Sequence, residues 1–293
     1  MSRETLGLLL GFVGVCIFAG TLPFTHIAVE ALSPLFITAG RAALAGVLAL
    51  ATLLVLKRPR PSMGQAGTLA LAALCLVAGF PGFTALAMTS VPASHGGVVL
   101  GIMPLATSAI STLIAGERPS PAFWLAAVAG AALVIGFTLH EGGGSLGRGD
   151  VFLLAAALSS ALGYVLSGKL VRSSFAGWEV ISWVLVVALP ATIPLSLWSM
   201  PQDPASVPAW SWTGFLYVAL MSQYLGFFAW NAGLAIGGIA HVSQVQLLQT
   251  FVTLVIASFL NRETIHASAW AVAGAVLLLV VAANRARVSR QKA

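Results

Sequence analysis

Ten apolar runs, each long enough to cross a lipid bilayer as a helix, account for nearly the whole chain. A hydrocarbon core of about 30 Å requires roughly 20 consecutive apolar residues in a helix. Of the 293 residues, 59% are hydrophobic and 8% are charged, which excludes a water-soluble globular domain. The runs cover approximately residues 5–29, 33–56, 66–89, 93–115, 120–139, 150–170, 177–199, 210–234, 239–260 and 264–284.

These runs are continuously apolar and do not alternate, so they predict helices and not the strands of a membrane barrel. The sequence therefore predicts an all-α integral membrane protein with ten transmembrane helices. The basic residues orient it: with a cytoplasmic N-terminus, only Arg148 and Arg262 lie outside. By the positive-inside rule we expect a multi-pass protein of a bacterial inner membrane with both termini in the cytoplasm. The net charge of +6 reflects this topology and contact with lipid headgroups, not nucleic-acid binding.

The second half of the chain repeats features of the first. The repeat predicts two units, residues 1–145 and residues 146–293. Because each unit holds five helices, an odd number, the second enters the membrane in the opposite direction. Inverted repeats of this kind are typical of secondary transporters with a substrate site near the bilayer midplane. The offset of 146 residues relates three pairs: Glu117 and Glu263, Trp124 and Trp270, and His95 and His241.

Several short motifs follow one another along the first half. They are Gly20-Thr21-Leu22-Pro23-Phe24, Arg41, Val91-Pro92-Ala93, Pro104-Leu105 and Gly116-Glu117-Arg118-Pro119. In this order, and with ten helices, they resemble the EamA-type branch of the drug/metabolite transporter superfamily over essentially the whole chain. The resemblance implies export of amino acids, other metabolites or drugs. The second half departs from the pattern, because Thr250 stands where the first half has Pro104, so we expect specialisation in the ninth helix.

The ninth helix is unusually polar for a membrane span. Gln246, Gln249 and Thr253 recur at helical spacing on one face, and Ser243 lies beside them. Such a stripe is unfavourable against lipid. We predict that Ser243, Gln246 and Gln249 bind the substrate; the alternative is hydrogen bonding that holds helices together.

The eighth helix offers a second candidate surface, because aromatic rings there alternate with the amides of Gln223 and Asn231. Apolar walls with a few polar groups are typical of small-molecule pockets. The alternative is that these aromatic side chains pack between helices or anchor at the headgroups. From the eighth and sixth helices, five residues are predicted to contact the substrate: Tyr164, Tyr224, Phe227, Trp230 and Asn231.

His95 and His241 begin equivalent helices, which the inversion places near opposite ends of the pathway. A histidine can bind a substrate carboxylate or respond to pH. We predict that both act as gates and that His95 also contacts the substrate; the alternative is a helix-end histidine bonded to backbone or headgroup. Pro104 removes a backbone hydrogen bond inside the fourth helix and is predicted to permit a gating kink.

Arg41 is the one charge deep inside a predicted span, and an intramembrane charge is a functional candidate. We predict a structural or gating role for Arg41, although a guanidinium there could instead attract a carboxylate or bridge backbone carbonyls. Glu117 and Glu263 are expected to cap helix junctions and to pair with Arg118 and Arg262.

Every Asp and Glu falls at a helix end or in a loop, so the predicted central cavity is neutral. This disfavours proton-for-cation exchange, which needs a buried carboxylate. We predict a facilitator that exports small metabolites, in particular aromatic or other neutral amino acids, by alternating access. The alternatives are a proton-coupled exporter of lipophilic cationic drugs and, from another class, a channel or receptor. We expect no enzyme, cofactor or metal site. We expect the partners of the protein to be a small-molecule substrate and membrane lipid, and a monomer to be sufficient for transport.

Overall fold

A computed structural model describes residues 3–115, 120–141, 144–173, 175–237 and 243–285 of the chain. Within these ranges all regular structure is helical. The helices are α1 (Arg3–Ala19 and Thr21–Val29), α2 (Pro34–Val55), α3 (Met63–Ala73, Leu74–Gly79 and Phe80–Ala87), α4 (Ala93–Leu100 and Met103–Ala115), α5 (Pro121–Glu141), α6 (Arg148–Ser173), α7 (Gly177–Trp198), α8 (Ala209–Leu216, Tyr217–Leu225 and Gly226–Gly237), α9 (Ser243–Leu248 and Gln249–Leu260) and α10 (Ala267–Arg285).

Seven helices, α1 to α7, are long and apolar enough to cross a membrane. Two shorter apolar stretches, Val245–Leu260 and Ala267–Ala282, belong to α9 and α10. The remaining segment, α8, is helical from Ala209 to Gly237. The prediction of an all-α membrane protein with ten helices is confirmed for the part of the chain that the structure describes.

The packing of the helices follows the inverted repeat. Three contacts join a helix to its counterpart in the other half: α2 with α7, α4 with α9 and α5 with α10. The repeat makes α1 equivalent to α6 and α3 equivalent to α8. The contact of α1 with α8 therefore corresponds to the contact of α6 with α3. This pattern is expected for two five-helix repeats related by a pseudo-two-fold axis.

Local structure repeats as well. The first residues of α3 and α8, Met63 and Ala209, are 146 positions apart, as are those of α5 and α10. Inside α3 and α8 the segments Leu74–Gly79 and Tyr217–Leu225 are π-helical, and the offset superposes them. A π-helical turn contains an extra residue, so it rotates the side chains that follow and often lies at functional sites.

Glycine allows α1 and α8 to pack with their backbones almost in contact. A Cβ atom on Gly7 would overlap the backbone of Gly237, and one on Gly233 would lie 2.6 Å from the backbone nitrogen of Gly11. Small residues four apart on each helix produce this close approach, a common way of joining helices in membranes. The outer surface is correspondingly apolar, with Phe259 83% exposed as expected of a side chain that faces lipid.

Candidate functional site

A cavity lies between the two halves, and nine helices contribute described residues to its wall. It contains about 1110 Å³ of space free of protein atoms, including the part open to solvent. Six of the predicted substrate-binding and gating residues lie in the wall: Arg41, Pro104, Tyr164, Phe227, Gln246 and Gln249.

Three other predicted contacts lie away from this wall. Tyr224 is 3% exposed, and its hydroxyl lies 3.4 Å from the Ser182 hydroxyl on α7. Trp230 packs on Gly14 of α1, and the side chain of Asn231 packs on Gly177. Gln223 and Phe227, four residues apart, share the side of α8 that lines the cavity, whereas Tyr224 faces a different side of the helix. Trp230 and Asn231 lie about one turn beyond Phe227, where α8 packs on α1 and on the start of α7.

Two further predictions have limited structural coverage. Ser243 is described only as the first residue of α9. His241 lies outside the described residues.

The repeat offset pairs wall residues of the first half with wall residues of the second. In five of the six pairs the second-half residue is the more polar one, so at these positions the first half supplies apolar surface and the second half supplies amides and hydroxyls. Sequence reasoning did not identify Ser222 as a wall residue. Its position, 146 residues after Leu76, could have revealed it. These five pairs are Phe18 and Tyr164, Leu76 and Ser222, Leu100 and Gln246, Met103 and Gln249, and Pro104 and Thr250, and the sixth pair is Gly101 and Leu247.

Thr253, the third member of the polar stripe on α9, holds two helices together. Pro23 of α1 has no N–H group, so the carbonyl of Ala19, four residues earlier, loses its donor within the helix. The hydroxyl of Thr253 donates to that carbonyl at 3.0 Å and joins α9 to α1. Membrane helices tolerate proline where a neighbouring helix satisfies the freed backbone group in this way.

Arg41 gives the cavity a positive charge, so the expectation of a neutral cavity fails at this position. The residue lies on the inner face of α2 and is 2% exposed. Its Nη2 donates to the Ser222 hydroxyl at 3.3 Å, and that hydroxyl lies 2.7 Å from the hydroxyl of Thr21. Its Nε and Nη1 have no hydrogen-bond partner among the described residues. The described wall residues include no carboxylate.

A second pocket lies at the end of the bundle where α4, α6 and α10 begin, which we call the Glu263 end. His95, predicted to contact the substrate, lies in this pocket and not in the central cavity. Its Nε2 lies 2.6 Å from a carboxylate oxygen of Asp150, and its ring stacks on Phe137. The other oxygen of Asp150 accepts from the backbone of Gly147 at 2.9 Å. The contact of His95 with Asp150 therefore joins α4 to α6 across the two halves.

Glu263 also joins the halves at this end. Its two carboxylate oxygens accept from the backbone N–H groups of Ala93 and Ser94, at 2.8 and 2.9 Å. These are unpaired donors at the start of α4, where the helix dipole favours a negative charge. The expected helix cap is present but lies on the opposite half. The expected ion pair of Glu263 with Arg262 is not among the described pairs within 4.0 Å, which join Arg58 to Glu179 and His95 to Asp150.

Comparisons with known proteins agree with this architecture. A model of the EamA-like transporter family matches residues 5–139 and again residues 147–285. The chain is 43% identical to the uncharacterized transporter YdeK of Bacillus subtilis, over 97% of this chain and 99% of the relative. It is 24% identical to the uncharacterized transporter sll0355 of Synechocystis, over 81% of this chain and 77% of the relative.

One crystal structure superposes with a TM-score of 0.64 over 96% of both chains, at 17% identity, which shows a shared fold alone. The family model covers most of the chain in two copies that correspond to the two sets of five helices. This protein belongs to the EamA-like transporter family.

Proposed function

We propose that the protein exports neutral amino acids with aromatic or branched apolar side chains, by alternating access and without an obligatory ion. Transport across a membrane is the activity of its family. The substrate class rests on one observation: at five of the six wall positions that the repeat pairs, the first half is apolar, whereas the second half carries amides or hydroxyls, which we call the polar wall. An amino acid with an apolar side chain has the same division.

The polar wall matches the backbone groups of an amino acid. Gln223, Gln246 and Gln249 offer amide oxygens that accept from an ammonium group and amide nitrogens that donate to a carboxylate. On α4, Leu100 and Met103 offer apolar surface to a side chain. A small number of oriented polar groups on an apolar background is the usual basis of selectivity in such pockets.

A proton-coupled exporter of lipophilic cations is the second candidate, and the wall residues disfavour it. Such a protein needs a buried carboxylate that binds the proton and the cation in turn. The described wall contains no Asp or Glu, and Arg41 repels a cation. The contact of His95 with Asp150 in the second pocket is the one observation that favours coupling to protons, and a pH gradient in the assay tests it.

The Glu263 end is the proposed gate of the alternating-access cycle. The cap on α4 and the contact of His95 with Asp150 both connect the first half to the second. Rocking of one repeat against the other is the usual movement of inverted-repeat transporters, and it must separate such contacts at one end. In this scheme His95 holds the end closed and does not touch the substrate.

The same proposal includes location and assembly. We place the protein in the bacterial cytoplasmic membrane with both termini inside, because the basic residues cluster in the loops on that side. The bacterial source of the relatives agrees with this. The cavity is enclosed by helices of one chain, so a monomer is sufficient.

Counterflow in proteoliposomes tests the substrate and the coupling together. Purified protein is reconstituted, and uptake of labelled phenylalanine, tryptophan, leucine, threonine and a quaternary ammonium cation is measured with and without a pH gradient. Saturable exchange of amino acids that persists without the gradient supports the proposal. Gradient-dependent transport of the cation with no amino-acid flux refutes it in favour of the second candidate, and flux without counterflow indicates a channel.

A further inference from the structure

We infer that Arg41 binds the carboxylate of the transported molecule, so that the central cavity selects compounds with a carboxylate. The inference rests on the proposed transport of amino acids, and it assigns one end of the substrate to one side chain. It differs from the structural or gating role that the sequence suggests for Arg41. Three observations carry it: the burial of the charge, the absence of a counterion among the described residues, and the lack of a charge at the equivalent position of the other half.

The Arg41 guanidinium is buried with no carboxylate partner among the described residues. It is 2% exposed, and neither described ion pair includes it. Burying a charge without a partner is strongly unfavourable, so buried charges in folded proteins are paired or serve a ligand. Since the described wall contains no carboxylate, the substrate is the remaining source of a negative charge in this cavity.

The hydrogen bonds of Arg41 leave capacity for a ligand. A purely structural arginine would use its five N–H donors on backbone carbonyls or side chains of neighbouring helices. Here a single bond, to the Ser222 hydroxyl, is long at 3.3 Å, and Nε and Nη1 have no partner among the described residues. Together Nε–H and an Nη–H form the planar fork that matches the two oxygens of a carboxylate.

The repeat argues against a role for this charge in the scaffold. Counted from the N-cap residues Ser33 and Ala176, the position of Arg41 on α2 corresponds to Val184 on α7. Val184 is fully buried at the equivalent place, so the five-helix fold forms without an arginine there. The charge therefore belongs to the chemistry of the cavity and not to the architecture that both halves share.

The position of Arg41 also orients the substrate. A carboxylate held between Arg41 and Ser222 lies next to Gln223, which is 4% exposed and also lines the cavity. The amides of α9 are then available to the ammonium group, and the apolar wall of α4 to the side chain. Arg41 binds the substrate directly in this arrangement.

The test compares phenylalanine with analogues that lack one of its charged groups. Purified full-length protein in proteoliposomes is assayed for counterflow of labelled phenylalanine, phenylalanine methyl ester and 3-phenylpropionate, with empty liposomes as the permeability control. Wild-type protein is compared with Arg41→Gln and Arg41→Lys. The matched control is Arg58→Gln, because Arg58 pairs with Glu179 at a helix end, where it is 45% exposed, and lies outside the cavity wall.

We expect the ester to be transported at least 10-fold less well than phenylalanine by wild-type protein, since hydrogen bonds to charged groups are among the strongest in proteins. Arg41→Gln should lower the apparent affinity for phenylalanine about 10- to 100-fold and leave that for the ester unchanged. Arg41→Lys should be intermediate, and Arg58→Gln should resemble wild type. The melting temperature of ligand-free Arg41→Gln should change little, because the one described hydrogen bond that is lost is the long bond from Nη2 to Ser222, and Nε and Nη1 have no described partner.

The outcomes separate this inference from the proposed function. If amino acids flow and the ester flows equally well, the inference is wrong and the proposed function stands. If phenylalanine does not flow but 3-phenylpropionate does, and Arg41→Gln abolishes that flux, the inference stands and the amino-acid proposal is wrong. Should Arg41→Gln fail to fold, the wild-type comparison of acid and ester decides alone. If wild-type protein and Arg41→Gln transport all three compounds equally well, the inference is overturned.

Discussion

Replacing Glu263 with alanine tests whether the helix cap between the halves closes the Glu263 end of the bundle. The substitution removes both acceptors of the Ala93 and Ser94 N–H groups, which lie 2.8 and 2.9 Å from the carboxylate oxygens. No other described acceptor takes their place, because the preceding residue, Pro92, is the N-cap and provides no side-chain hydrogen bond. The closed arrangement therefore loses a contact that an open one does not have.

The size of the effect follows from the geometry of the cap. Hydrogen bonds to charged groups contribute roughly 1.5–3 kcal/mol. Glu263 is only partly buried, so we take that range for the two bonds together and do not double it. Since each 1.4 kcal/mol is a tenfold change in an equilibrium constant, about 10- to 100-fold more of the population should be open at this end.

Cysteine labelling measures this population. Ala93 is fully buried beneath the cap, so a cysteine there reacts with a membrane-impermeant maleimide only when the Glu263 end opens. The assay uses Ala93→Cys in a background in which the native residues Cys16 and Cys75 are replaced. We expect Glu263→Ala to raise the labelling rate about 10-fold or more.

The matched control is Glu141→Gln. Glu141 lines the same pocket, but its carboxylate accepts from the exposed Ser268 hydroxyl at 3.1 Å, a bond that contributes little. Labelling should stay at the wild-type rate in this control. An unchanged rate in Glu263→Ala, with an unchanged melting temperature, would show that the cap does not hold this end closed.

Three further predictions concern packing and topology. Gly7→Ala should lower the melting temperature, by the equivalent of about 1–3 kcal/mol, because the new methyl group overlaps the backbone of Gly237; the control Gly67→Ala, with no atom within 4 Å, should leave it unchanged or slightly raised, and equal effects would contradict the packing argument. Thr253→Val should cost roughly 1–3 kcal/mol in the same measurement, because the Ala19 carbonyl loses its donor; full wild-type stability would mean that another donor replaces it. A phosphatase reporter fused to the C-terminus should be inactive, whereas one inserted between α7 and α8 should be active, and the reverse pattern would invert the assigned orientation.

The fold was predictable because each of its determinants is local or periodic. An apolar run of about 20 residues specifies a membrane helix without reference to its neighbours. The repeat then specifies which helices are equivalent, and the packing of α2 on α7 and α5 on α10 follows. The sequence contained no comparable signal for the π-helical turns of α3 and α8, since these depend on tertiary contacts.

Side-chain direction was harder to predict for the same reason. On α8 the sequence places Tyr224, Phe227 and Asn231 on one surface, yet Phe227 alone lines the cavity. Tyr224 faces Ser182 on α7, and Asn231 lies about one turn beyond Phe227, where its side chain packs on Gly177, so the contacts with neighbouring helices decide the difference. The partner of a helix cap was also hard to predict. The position of Glu263 at a helix junction suggests a cap, but only the three-dimensional structure shows that the capped helix belongs to the other half.

The chemistry of the site lies where the two halves differ. A strict repeat would line the cavity with the same side chains from both halves, and such a cavity could not distinguish the two ends of a substrate. Here Gln246 and Gln249 face the cavity where the first half has Leu100 and Met103, and Arg41 has no charged counterpart. In the proposed cycle the shared residues provide the scaffold that exchanges its two conformations, and the unshared residues provide direction and selectivity within the cavity. For an inverted-repeat transporter, the positions at which the two copies disagree in polarity are therefore the first ones to mutate.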